Sequence, residues 1–224
     1  MLLCIETSGK NCSVALFEGL QLVSIREVHS EQFSHSENLH VFIEQVLKES
    51  NLQPKAIKAI AISAGPGSYT GLRIGTATAK GLCYGWDIPL IAVPTLRILA
   101  ERASDYLTDI QYIIPMIDAR RMEVFTTIYR SDFSTEVAAH PEILTETSFT
   151  SYLDQGKTLF LGDGSSKFAT ICSHPNAIFV TDQYASAQQM GKLAISLYEE
   201  RQFEDIAYFE PFYLKEFYIA KNEQ

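Results

Sequence analysis

The 224-residue sequence lacks the long apolar runs and the cysteine spacing that mark membrane, secreted and zinc-binding proteins. No stretch approaches the ~20 apolar residues that a membrane-spanning helix needs, and the chain does not start with a basic leader before an apolar core. The four cysteines show no C-x-x-C spacing, which argues against a zinc site or a disulfide framework. We therefore expect a cytoplasmic protein that neither spans a membrane nor depends on disulfides.

Positive charge is also scarce, since 18 lysines and arginines stand against 27 aspartates and glutamates and the net charge is −9 at pH 7. No cluster of basic side chains interleaved with aromatic ones occurs along the sequence. Strong binding to nucleic acid needs several basic side chains on one face, because much of the affinity comes from counterion release. We expect the chain alone to bind RNA poorly, so that a role in RNA chemistry would require a partner that holds the RNA.

A metal-binding pair of histidines is missing as well. Two histidines on one helix share a face when they lie four residues apart. Here Leu39 stands four residues after His35, and His40, one residue further on, is rotated by ~140° from His35 at 3.6 residues per turn. The G-x-S-x-G turn of a nucleophilic serine is also lacking. The sequence therefore predicts no metal site, and it disfavours peptidase activity.

The most informative segment runs from Ile60 to Gly85 and reads IAISAGPGSYTGLRIGTATAKGLCYG. An apolar stretch of strand length leads into a turn rich in glycine and proline, and a helix begins after it with Ser68 or Thr70 as its N-cap. The match to phosphate-binding loops is poor, because no Lys-Ser or Lys-Thr follows the glycines. Anion binding at this turn stays open but is not indicated.

Small residues recur at every fourth position of this segment, at Gly67, Gly71, Gly75 and Ala79. Glycine costs about 1 kcal/mol relative to alanine inside a helix, so the stripe needs a packing or functional reason. On spacing alone, close packing of the helix on its own sheet is favoured over contact with a helix of another chain. If the stripe contacts a partner, Gly75→Leu should block that contact and leave the fold largely intact.

Hydrophobic periodicity predicts an α/β protein with two lobes. The first lobe is a three-stranded meander followed by helix, strand, helix and strand, at 2–6, 12–18, 21–29, 35–49, 60–63, 70–84 and 89–93. The second half echoes this order with strands at 112–118, 123–129, 158–161 and 178–180 and a closing helix at 185–201. We place the lobes at 1–105 and 106–224, with a crossover at 95–107, and expect residues 205–224 to pack back on the first lobe.

Six ordered blocks of the sequence resemble the bacterial TsaB (YeaZ) family. The segment SAGPGSYTGLRIGTATAKGL is very similar to the family signature, and LCIETS at 3–8 is similar to the family's I-D-T-S start. The other blocks are HSENL at 35–39, DARRMEV at 118–124, which resembles the family's D-A-R-x-x-E-V, GDG at 162–164 and PFYLK at 211–215. Together they run along the whole chain in the family's order.

The resemblance implies an actin-like, Hsp70-like ATPase fold of two ribonuclease-H-like lobes, the second of them reduced. It also implies a role in making threonylcarbamoyladenosine in tRNA, as the non-catalytic partner of a paralogous transferase, TsaD, with a small ATPase, TsaE. The transferase has a metal-binding H-x-x-x-H where this chain has Leu39 in place of the second histidine. A homodimer is expected when the chain is alone, and tRNA is expected to be held only through the partner.

On the same resemblance, two helices are expected to dock against their counterparts on the transferase. The expected interface residues are His35, Leu39, Phe42, Ile43, Val46, Thr70, Gly71, Leu72, Arg73, Gly75, Thr76, Ala79 and Lys80. The sequence does not decide whether Arg73 pairs across the interface or caps its own loop. It leaves the same two possibilities for Lys80.

Two further segments are similar to the phosphate loops of actin-like folds. They supply the candidate nucleotide-binding residues Glu6, Thr7, Ser8, Asp118, Gly162, Asp163 and Gly164. Glu6 replaces the usual aspartate and is longer by one methylene, which would displace a carboxylate that orients a metal-bound water. We expect no intrinsic cofactor, and the resemblance leaves open an ATP or ADP shared at the interface with the transferase. The alternative function is an independent ATPase or small-molecule kinase that uses Glu6, Thr7, Asp118 and Asp163.

Overall fold

The computed structural model describes residues 1–29, 35–106 and 108–215. Within these ranges the strands are β1 (Leu2–Glu6), β2 (Asn11–Glu18), β3 (Gln21–His29), β4 (Ala59–Ser63), β5 (Leu90–Val93), β6 (Tyr112–Asp118), β7 (Glu123–Arg130), β8 (Thr135–Ile143), β9 (Thr158–Gly162) and β10 (Ala177–Thr181). The helices are α1 (His35–Glu49), α2 (Tyr69–Trp86), α3 (Thr95–Ala100), α4 (Thr150–Leu153), α5 (Ser165–Ala169) and α6 (Ala187–Glu199). None of these helices is long and apolar enough to cross a bilayer.

The first sheet has the strand order β3-β2-β1-β4-β5. β1, β2 and β3 pair antiparallel, which confirms the predicted meander, and β4 and β5 continue the sheet in parallel with β1. Every residue of β1 and β4 is buried. Helices therefore have to cover both faces of this sheet, which is why these strands read as apolar runs rather than as alternating patterns.

The second sheet repeats the same order, with β8, β7, β6, β9 and β10 in the places of β3, β2, β1, β4 and β5. The predicted fold class of two ribonuclease-H-like lobes is therefore confirmed. The prediction missed β8, an edge strand that pairs only with β7 among the described strands. β8 contains Pro141, which breaks a strand pattern in the sequence but is tolerated where no second neighbour needs the missing N–H.

Four apolar clusters lie between the two sheets and the helices that cover them. α1 and α2 cover one face of the first sheet, and α6 covers the other. On the second sheet, α4 and α5 cover one face through a cluster that contains Phe149, Phe160, Phe168 and Phe179. α3 and the 3-10 turn after it cover the opposite face. The second lobe is smaller because the short helices α4 and α5 stand where the first lobe has α1 and α2. This agrees with the reduced second lobe that the sequence predicted.

The two lobes exchange helices across the predicted division at residue 105. α3 follows the first sheet in the chain but packs on the second, where Leu99 is buried beside Leu161. α6 follows the second sheet but returns to the first, where Ala187, Met190 and Ala194 are buried. The chain then runs along the edge of the first sheet, since residue 204 forms a bridge with Leu90 of β5. The first lobe thus includes most of the described C-terminal segment.

Candidate functional site

The loops that follow β1 and β9 meet between the lobes, where an actin-like enzyme would hold a nucleotide. This interlobe cleft is lined by Ser8 and Gly9 from the first lobe and by Ile117 and Asp163 from the second. Its cavity measures about 20 Å³, enough for about one water molecule. Small-molecule sites usually enclose about 300 Å³ or more, so the cleft in this arrangement does not accommodate a nucleotide.

Glu6 ends β1 and is fully buried beneath the cleft. Its Oε1 accepts hydrogen bonds from the amide of Ser8 at 2.6 Å and from the hydroxyl of Ser8 at 2.5 Å. Its Oε2 has no directed hydrogen bond from any described residue. Burial raises the pKa of Glu6 to about 7, against the opposing effects of Ser8 and of the nearby Ser63. The carboxyl group is therefore held by its own loop and is easily protonated near neutral pH.

The glycine-rich turn before α2 closes over the loop after β1. The amide of Ser68 donates to the carbonyl oxygen of Ser8 at 2.6 Å. A Cβ atom on Gly67 would lie only 2.3 Å from that same oxygen. Ser68 also caps α2, as predicted, because its hydroxyl accepts from the amide of Gly71. The amides of Ser68 and Gly71 are thus already used within the chain.

The glycine stripe of α2 packs against Thr7 of the same lobe. The Thr7 hydroxyl donates to the carbonyl oxygen of Gly71 at 2.8 Å. A Cβ atom on Gly75 would lie 2.3 Å from Thr7 Oγ1. Of the two explanations for the stripe, the structure thus supports close packing within the lobe. The expectation that Gly75→Leu would leave the fold intact is corrected, since the larger side chain would collide with Thr7.

Asp118 and Asp163 lie together at the second-lobe side of the cleft. The amide of Asp118 donates to Asp163 Oδ1 at 3.0 Å, and Asp118 Oδ1 pairs with Lys167 Nζ at 2.6 Å. Burial raises the pKa of Asp163, with the Asp118 amide and Lys10 acting in the opposite direction. The predicted residues of this lobe are thus brought together, but they form a network of internal bonds rather than an open site.

Gly162 and Gly164 have structural reasons to be glycine. Gly162 adopts a φ of +113°, and a Cβ atom there would lie 2.2 Å from the carbonyl oxygen of Met116. A Cβ atom on Gly164 would lie 2.8 Å from Val124 Cγ1. Both glycines let the end of β9 pack closely on its neighbours. Within the described ranges, no three His, Cys, Asp or Glu side chains are grouped as metal ligands would be.

Most of the predicted interface residues lie inside the first lobe. The buried ones are Leu39, Ile43, Val46, Gly71, Leu72, Gly75, Thr76 and Ala79. The chain's own core covers these residues in this arrangement. The side chain of His35, at the start of α1, lies outside the described part. Thr70 and Arg73 are exposed, and Phe42 and Lys80 are partly exposed.

The outward face of α2 carries a second stripe of small residues that the sequence analysis did not single out. Ala77, Gly81 and Gly85 are spaced four apart and are exposed. A Cβ atom on Gly81 or Gly85 would meet nothing within 4 Å. Tyr84 stands beside them with 85% of its surface exposed, and Val41 of the adjacent α1 is 47% exposed. We call these five residues the outer helix face.

Arg73 and Lys80 both contact the C-terminal segment of their own chain. The Arg73 guanidinium lies 4.7 Å from the ring centroid of Tyr69, which in turn lies 5.0 Å from the ring of Tyr213. Lys80 Nζ donates to the carbonyl oxygens of Ala207 at 3.3 Å and of residue 209 at 3.1 Å. The structure thus gives both side chains partners within the chain, a choice that the sequence had left open.

Comparison with known proteins places these features in a family. The family model described as TsaD, tRNA N6-adenosine threonylcarbamoyltransferase, matches residues 27–221. A protein of Haemophilus influenzae named tRNA threonylcarbamoyladenosine biosynthesis protein TsaB is 35% identical over 65% of this chain, and the match spans 62% of that protein. The protein of the same name from Escherichia coli is 27% identical over 96% of this chain and 94% of its own length.

A solved structure agrees with the fold described above. A crystal structure from Pseudomonas aeruginosa, of a protein described as uncharacterised with similarity to the peptidase YeaZ, has a TM-score of 0.81 with this chain. It is 25% identical and covers 96% of this chain and 99% of its own. The resemblance seen in the sequence is therefore confirmed: the chain belongs to the TsaB (YeaZ) family, within the wider family of the TsaD model.

Proposed function

We propose that the protein is a non-catalytic subunit required for threonylcarbamoyladenosine modification of tRNA in the cytoplasm. In this role it binds and activates a TsaD-type transferase, and a TsaE-type ATPase joins the pair. The names of its relatives support the pathway. The observation that carries the subunit role is the outer helix face, where Ala77, Gly81 and Gly85 leave room for close approach of another helix.

The outer helix face has the shape that helix packing between chains needs. Small residues at every fourth position form a shallow groove, and side chains of a facing helix can lie in it. Tyr84, beside the groove, offers a large aromatic side chain of the kind that is enriched in protein interfaces. The buried stripe of α2 keeps the helix seated on its own lobe, so that the two stripes serve opposite faces of one helix.

The cleft between the lobes supports a non-catalytic role. Its volume is about 20 Å³, and the Ser8 and Ser68 amides at its first-lobe loop donate within the chain. Turnover of ATP would require the loops to separate and to give up these bonds. We place any nucleotide at the interface with the transferase rather than in this cleft. The independent ATPase or kinase is the less supported alternative for this reason.

The charge of the chain supports the proposal that the partner binds the RNA. With a net charge of −9 the protein repels a polyanion at long range. In the absence of the transferase, the outer helix face would remain open to water. We expect a second copy of the chain to cover it, which gives a homodimer in isolation.

Affinity for the transferase tests the proposal. Ala77→Leu fills the groove with a side chain that points away from the protein's own core, and Gly81→Leu does the same one turn later. Each should weaken the heterodimer by about 5- to 150-fold, because overpacking a fitted surface costs about 1–3 kcal/mol. Ala138→Leu makes the same chemical change at an exposed position of β8 and serves as the matched control. It should bind as the unmodified chain does.

Analytical ultracentrifugation and titration calorimetry with the purified transferase measure the effect. Heterodimers of unchanged affinity from both α2 variants would contradict docking through the outer helix face. ATP hydrolysis by the isolated chain, lost in Asp118→Asn but kept in Ala77→Leu, would instead favour the ATPase or kinase. The proposal expects no such turnover.

A further inference from the structure

A cavity of about 340 Å³ lies between α3 and α6, apart from the interlobe cleft. Its volume falls in the range of about 300–1,000 Å³ that is typical of small-molecule sites. Val93, Pro94, Leu193 and Leu197 form apolar walls. Because α3 packs on the second sheet and α6 on the first, a molecule in this cavity would contact elements of both lobes.

Charged side chains gather at one side of this cavity. Arg97 Nη1 lies 2.5 Å from Glu101 Oε1, and Lys192 Nζ lies 3.7 Å from Glu101 Oε2. Among the charged side chains that line the cavity, two cations thus share one carboxylate, an excess of one positive charge. The carboxylate of Glu200, which accepts from the Ser196 hydroxyl at 3.1 Å, lies outside this lining. The Glu101 side chain is only 6% exposed, so water screens this group weakly.

Aromatic rings of the second lobe pack against the guanidinium of Arg97, which can still donate a hydrogen bond to a ligand. Its guanidinium lies 4.2 Å from the ring centroid of Phe133 and 5.8 Å from that of Tyr129. Arg97 Nη1 and Glu101 Oε1 are in ionic contact, but both atoms are buried without a well-directed hydrogen bond. The Arg97 side chain is nevertheless 22% exposed and lines the cavity, so other N–H groups of its guanidinium can reach an oxygen atom that enters the cavity.

The geometry points to a binding site for a small monocarboxylate with an apolar tail. The tail lies along Leu193 and Leu197, and the carboxylate joins Arg97 and Lys192. A neutral analogue gains the same apolar contact but leaves the excess positive charge unmatched, and a cation adds to it. This site is separate from the outer helix face and does not depend on the proposed function.

Titration calorimetry of the full chain with octanoate, 1-octanol and octylammonium tests the site. We expect octanoate to bind most tightly and octylammonium most weakly. The K192Q variant, at a side chain that is 70% exposed, should weaken octanoate binding about fivefold and leave 1-octanol unchanged. Equal affinity for octanoate and octylammonium, or an equal effect of K192Q on octanoate and 1-octanol, would overturn the assignment.

A blocking variant locates the binding. Ser196 is exposed and lines the cavity, so S196W should fill it and abolish octanoate binding. Q188W adds the same ring at an exposed position of α6 away from the cavity lining and should bind octanoate normally. Circular dichroism checks that both variants fold. Octanoate binding that survives in folded S196W, or is lost equally in Q188W, would place the ligand elsewhere and refute the proposal.

Discussion

Replacing Gly75 with alanine tests whether the buried stripe of α2 serves its own lobe. The new Cβ atom would lie 2.3 Å from Thr7 Oγ1. Thr7 is β-branched, so one rotation about χ1 would bring its methyl group into the same space. The rotation that frees the space would break the 2.8 Å hydrogen bond to the Gly71 carbonyl. Either outcome costs stability.

The expected size of the effect follows from three contributions. Overpacking costs about 1–3 kcal/mol, and loss of the buried hydrogen bond costs about 1 kcal/mol. The higher helix propensity of alanine returns about 1 kcal/mol. We therefore expect Gly75→Ala to lower the free energy of unfolding by about 2 kcal/mol, which lowers the Tm of a chain of this size by about 4–8 °C.

Urea and thermal unfolding followed by circular dichroism measure this change. Gly81→Ala is the matched control, because a Cβ atom there meets open space. It should stabilise the chain by up to about 1 kcal/mol. In a Thr7→Ala background, Gly75→Ala should cost much less, since the colliding oxygen is gone. Equal stabilisation by Gly75→Ala and Gly81→Ala would refute the packing that we infer.

Three further predictions concern other parts of the first lobe. Glu6 has a pKa of about 7 when folded, raised from about 4.5, so its burial becomes destabilising as the pH rises between these values. Between pH 4 and pH 8, the free energy of unfolding of Glu6→Gln should therefore rise by about 3 kcal/mol relative to that of the unmodified chain, as measured by urea unfolding. A difference that stays constant with pH would contradict the raised pKa. Lys80→Met removes two hydrogen bonds to the C-terminal segment, and limited proteolysis should cut that segment several-fold faster while α2 stays protected; unchanged cleavage would show that the two bonds do not hold it. Gly191→Ala places a Cβ atom 2.2 Å from the ring of Phe17 and should lower the free energy of unfolding by about 1–3 kcal/mol, whereas a Tm equal to that of the unmodified chain would mean that α6 does not pack this closely.

The sequence predicted those elements whose local pattern has a single explanation. Alternating and apolar runs bounded by turns gave β1, β2 and β3, and the 3.6-residue period gave α1 with its observed bounds. β8 was missed because Pro141 and exposed polar residues weaken its pattern. The strand exists because its neighbour β7 offers a free edge, and such tertiary pairing leaves little trace in a short window.

The sequence did not show which helices and sheets pack together when they are far apart in the chain. The apolar face of α6 indicates that the helix is buried, but it does not say which sheet covers it. The same ambiguity affected the helix after the glycine-rich turn. Gly71 and Gly75 form one stripe of small residues and Ala77 and Gly81 form another, and spacing alone does not tell which stripe faces the core. Contact with Thr7 settles the question, and Thr7 is remote in the chain.

Synthesis of threonylcarbamoyladenosine on unmodified tRNA tests the central claim most directly. The transferase, the ATPase and an enzyme that supplies the activated threonylcarbamoyl group are combined, and this protein is added or left out. We predict that modification requires the protein, that the protein alone modifies nothing, and that Ala77→Leu lowers the rate while Ala138→Leu does not. Full modification without the protein would contradict its role as a required subunit.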